Sequence, residues 1–113
     1  MNKDEMYKNL SKNDHQNRLI AHNLLSRWEW PENLVGPKPE GWDYMNSKEK
    51  HKNKIFRATY DALDEMLSDF EILEFHWDVN MKKSHDEFLE WWLSDARYDP
   101  YRNRNYKRHL KTA

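Results

Sequence analysis

Apolar residues recur along 47–79 at alternating spacings of four and three, as Phe56, Tyr60, Leu63, Leu67 and Phe70. That spacing sets them on one helical face, which Ile55, Ala62 and Met66 widen into the stripe of a helix packed on a globular core. One long helix is predicted here, with Ser47 as its cap. Within it, 73–79 admits two readings. Phe75, Trp77 and Val79 alternate with His76 and Asp78 as in a half-buried strand, yet Leu73 and Trp77 continue the helical spacing. No second strand is evident to pair its backbone groups, so continued helix is favoured.

Three other helices follow from the same pattern. Asn2 with Glu5 opens a short one over 2–10, whose core side holds Met6 and Leu10. Asp14 caps a second over about 15–29, with Leu19, Ile20, Leu24, Leu25 and Trp28 facing inward and Trp30-Pro31 ending it. Ser84 and Glu87 form a capping-box pattern for 84–96, where Phe88, Leu89, Trp92, Leu93 and Ala96 make the apolar face and Trp91 lies on its flank. Between the second helix and the long one, 31–46 holds three of the four prolines and both glycines, so it reads as one long loop. Its Trp30, Leu34, Val35, Trp42 and Tyr44 either fold back over the core or form a contact loop. The expected fold is all-α, a compact bundle of four to five helices with one long Pro- and Trp-containing loop. The expected organisation is a single helical domain over 1–113, in which 100–113 is a basic tail or a last short helix.

Composition changes this picture in one respect. Leu, Ile, Val and Phe make just under a fifth of the 113 residues, while six Trp, six Tyr and five Met supply the remaining apolar mass. The core is therefore expected to be small and built more from aromatics than aliphatics. Zero cysteines exclude a disulfide framework, a thiol nucleophile and a cysteine metal site. With no apolar run of membrane-spanning length and no signal-like segment, a cytoplasmic protein is expected.

Charge is balanced overall but segregated. Net charge is +3 over 1–60, −9 over 61–95 and +5 over 96–113. On the long helix the order opposes the helix dipole, with Lys48, Lys50, Lys52, Lys54 and Arg57 in its first half and Asp61, Asp64, Glu65, Asp69, Glu71 and Glu74 in its second. Either i,i+4 pairs such as Arg57 with Asp61 absorb these charges, or they face partners.

Candidate chemistry is sparse. His76 with Asp78, and His85 with Asp86 and Glu87, lack the spacing that sets two metal ligands on one helical face. No glycine-rich phosphate loop or nucleophile–base spacing is present, so no metal, cofactor or enzymatic activity is expected. Two binding readings remain. In the first, Asp61, Asp64, Glu71, Glu74, Glu87 and Glu90 form an acidic helical face with Trp77, Trp91 and Trp42 as aromatic contacts for a basic protein partner. The size and the Trp-, Asn- and Lys-rich make-up suit a small phage or mobile-element regulator or inhibitor of a host protein. In the second, Arg97, Arg102, Arg104, Lys107, Arg108 and Lys111, interleaved with Tyr98, Tyr101 and Tyr106, bind DNA or RNA.

Overall fold

A computed structural model describes residues 2–95, and among these every regular element is helical. The elements are α1 (Lys3–Lys12), α2 (His15–Ser26), α3 (Glu32–Val35), a 3-10 turn (Trp42–Tyr44), α4 (Ser47–Lys52), α5 (Lys54–Met66), α6 (Asp69–Asn80) and α7 (His85–Asp95). The all-α fold expected from the pattern is what the chain adopts. Its contacts divide it into two compact units, Met1–Leu67 and a second from Ser68 onward. The basic segment 100–113 lies outside the described residues.

The long helix predicted over 47–79 is three helices, and its end chemistry explains why. Asn46, not Ser47, caps α4, accepting from the Glu49 N–H at 2.9 Å. Asn53 leaves the helical region and accepts from the Ile55 and Phe56 N–H groups at 3.0 and 3.1 Å, so it ends α4 and begins α5. Ser68 and Glu71 form a reciprocal capping box at the start of α6, with backbone-to-side-chain bonds of 3.1 and 3.2 Å. These breaks remove part of the conflict with the dipole, while α5 keeps it, with Lys54 and Arg57 in its first half and Asp61, Asp64 and Glu65 in its second. Lys50, His51 and Lys52 now stand in the last turn of α4, and Asp69 and Glu71 in the first turn of α6, each on its favourable side. The expected Arg57–Asp61 pair does not form.

In the first unit, Met6 and Leu10 of α1, Ala21 and Leu25 of α2, Val35 of α3, Trp42, and Phe56, Ala62 and Leu63 of α5 make one buried core. Full burial of Leu10, Leu25 and Leu63 contributes about 1.5–3 kcal/mol each. Thr59 is buried among them, its hydroxyl 2.8 Å from the Ile55 carbonyl and 3.0 Å from the Met6 sulfur. At the edge, the Tyr7 hydroxyl donates to Glu65 at 2.9 Å. That bond first, then desolvation and the charges of Glu65 and Asp61, hold the Tyr7 phenol above its ordinary pKa.

The second helix ends three residues earlier than predicted, at Ser26. The N–H groups of Trp28 and Glu29 bond back to the carbonyls of Leu25 and Leu24 at 3.1 and 2.9 Å, which is a Schellman motif. Trp28 takes its left-handed position, with φ 61°. The proline-rich loop folds back over the core instead of standing out. Trp42 is 2% exposed, its indole N–H donating to the Trp28 carbonyl at 3.3 Å, while the Trp30 N–H donates to the Gly36 carbonyl at 2.9 Å. Tyr44, at 94% exposure, is the loop aromatic that stays in solvent.

The second unit contains the α6–α7 hairpin. Residues 73–79 are helical, as the missing partner strand requires, and α7 starts where its capping pattern sets it, Ser84 accepting from the Glu87 N–H at 3.2 Å. Phe88 and Trp92 are buried, with Phe70, Leu73, Trp77, Leu89 and Trp91 packed around them. Edge-to-face contacts of 5.3 and 5.5 Å join Phe70 to Phe88 and Trp92.

Candidate functional site

The hairpin sets Trp77 of α6 against Trp91 of α7, stacked with centroids 4.9 Å apart. On α6, Leu73, His76, Trp77, Asn80 and Met81 follow one another at helical spacing, so they line one stripe. With Trp91 they line a shallow, open groove of about 260 Å³, whose walls are almost wholly apolar. The hairpin also leaves Val79, Met81 and Leu93 exposed. Met81, adaptable in shape, stands at the end of α6 beside Lys82, which turns the chain with φ 54°. The Lys83 ammonium lies 5.8 Å above the Trp77 ring, and the Trp77 indole N–H is buried without an acceptor among the described residues.

The carboxylates of the hairpin, none of which lines the groove, are in different states. Glu74 meets the His85 Nδ1 across the hairpin. Glu87 closes the Ser84 cap and lies 3.9 Å from Lys83. Glu71 is committed to the Ser68 capping box. Glu90 is exposed, and its carboxylate takes no partner among the described residues. Asp78 and Asp86, which were not among the residues expected on the acidic face, are exposed in the same way. Over 68–95 the chain carries eight acids against Lys82 and Lys83, so the hairpin has a strong negative surplus.

The nine residues expected on that face come from both units. Glu71, Glu74, Trp77, Glu87, Glu90 and Trp91 all stand on α6 and α7. Asp61 and Asp64 belong to α5, and Trp42 is core. Asp64 receives the ring of buried His22 at 2.8 Å. Leu73, His76, Asn80 and Met81 were missed as groove residues, although their stripe was present in the helical spacing. The alternative nucleic-acid residues, Arg97, Tyr98, Tyr101, Arg102, Arg104, Tyr106, Lys107, Arg108 and Lys111, lie outside the described residues. Among the described residues no group of three His, Cys, Asp or Glu side chains converges to hold a metal, and no helix is long and apolar enough to cross a membrane. No known protein family, curated protein or solved structure matches this chain.

Proposed function

We propose that this protein is a non-catalytic binding module whose α6–α7 hairpin takes a basic segment of another protein, anchored by an apolar side chain. The observation that carries this reading is the Trp77–Trp91 stack bordering an apolar groove on a hairpin with surplus carboxylates. Tryptophan offers a large, stiff contact area and is over-represented among residues that dominate binding energy. The unpaired carboxylates of Asp78, Asp86 and Glu90 would attract a cationic partner and discriminate against acidic ones. A groove this small accepts an anchor side chain, not a whole element, so the remaining contact would spread over the exposed hairpin surface. A small regulator or inhibitor of a cytoplasmic protein is the role this surface suits.

The test is capture of partners from lysate by the tagged full chain, with and without nuclease, beside the double variant Asp86→Lys and Glu90→Lys. Both positions are exposed and partner-free, so the fold should survive, which a melting curve checks. A captured protein that resists nuclease and is reduced at least about tenfold by the charge reversal supports the reading. Undiminished capture by the folded variant, or material lost on nuclease treatment, overturns it; the latter transfers the function to the basic 97–111 segment.

A further inference from the structure

We propose that the first unit carries a separate site for an organic cation, an alkylammonium or guanidinium group, in the cleft between α2 and α5. This inference uses no residue of the hairpin and stands independently of its proposed partner. The cleft has a volume of about 390 Å³. Trp28, Phe56 and Tyr60 form its aromatic wall, with centroid separations of 5.1 Å between Trp28 and Phe56 and 5.6 Å between Phe56 and Tyr60. Asp61 and Asp64, one turn apart on α5, bring two carboxylates to the same cleft. An aromatic wall beside carboxylates is the arrangement that stabilises a weakly hydrated cation, through ring quadrupoles on one side and opposite charge on the other.

Two features show that these carboxylates are not consumed by the fold. Asp64 spends Oδ1 on the buried His22 ring, and its other oxygen takes no partner among the described residues. Asp61 makes no side-chain hydrogen bond or ion pair among the described residues, although Arg57 stands one turn before it at the spacing that ordinarily gives a helical ion pair. Arg57 and His51 also line the cleft, so an anion has one fixed cation to meet there against two carboxylates. A neutral apolar ligand would desolvate both carboxylates without compensation. A bare metal ion would find too few ligands, since no third His, Cys, Asp or Glu joins these acids in a metal-holding group among the described residues. The organic cation satisfies the aromatic and the charged walls together.

Trp28 reaches the cleft wall through the turn that ends α2. It occupies the left-handed position of the Schellman motif at φ 61°, where glycine would fit without strain. This conformation sets the indole against Phe56 at the cleft wall.

Amide NMR titration of the full chain tests the site with three probes: choline, its uncharged carbon isostere dimethylbutanol, and acetylargininamide. At least one of the two cations should give saturable shifts along α5 around Asp61 and Asp64, and dimethylbutanol should give none. Asp61→Asn, at an exposed and partner-free position, should weaken cation binding about fivefold, and Arg57→Gln should strengthen it. Tighter choline binding assigns the site to free quaternary amines, and tighter acetylargininamide binding to a protein side chain. Saturation by dimethylbutanol at equal affinity, no saturation by either cation, or indifference to Asp61→Asn overturns the proposal.

Discussion

His22 and Asp64, 42 residues apart in the chain, meet at 2.8 Å between the imidazole Nε2 and a carboxylate oxygen. Since the carboxylate can only accept, Nε2 carries the proton and donates. The ring is 3% exposed and stacks at 4.6 Å on Tyr60, so this bond satisfies a polar group that water does not reach. It also ties α2 to α5.

Removing the acceptor should therefore matter far more than removing a neighbouring acid. Asp64→Ala removes the acceptor of this buried N–H and should lower stability by about 1–3 kcal/mol. Asp61→Ala, one turn earlier and without a partner, should stay within about 0.5 kcal/mol of the parent. Urea denaturation of the two variants measures the contrast. Equal losses would show that the His22–Asp64 bond contributes nothing specific.

Asn53 ends one helix and begins the next through a single side chain. Asn53→Ala deletes both bonds to the first-turn N–H groups of α5 and should cost about 0.5–2 kcal/mol. Circular dichroism should show no gain in helix. A more helical variant of undiminished stability would mean that α4 and α5 fuse once the cap is gone, and that Asn53 alone separates them.

Trp28 should reverse the ordinary preference of helices for alanine over glycine. Both Trp28→Gly and Trp28→Ala lose the packing on Phe56, but only glycine relaxes at φ 61°. The glycine variant should be more stable than the alanine variant by about 1 kcal/mol in denaturant titration. An alanine variant that is equally stable would place the strain elsewhere.

Much of the local structure was legible in the residues. Asn2, Asp14 and Ser84 cap where their side chains and the following apolar spacing require, because capping depends on residues three apart. The Ser68–Glu71 box was equally visible as a serine followed three residues later by glutamate, but the unbroken stripe from Phe56 to Phe70 masked it. Periodicity cannot distinguish one long helix from two in phase, whereas a cap can. The helical state of 73–79 and the acidic surplus of the hairpin also followed from sequence. The expectation of a core built more from aromatics than aliphatics fails: among the described residues four of the fourteen buried hydrophobic side chains are aromatic.

Tertiary structure decided what lies far apart in the chain. That the loop delivers Trp42 to the core, that His22 finds Asp64, and that Asp61 and Asp64 border an aromatic cleft are consequences of packing. Residue spacing fixes which side chains share a face of one helix, because the backbone repeat is local. Which faces meet depends on long-range burial of apolar surface, which has no direction and leaves no spacing in the sequence.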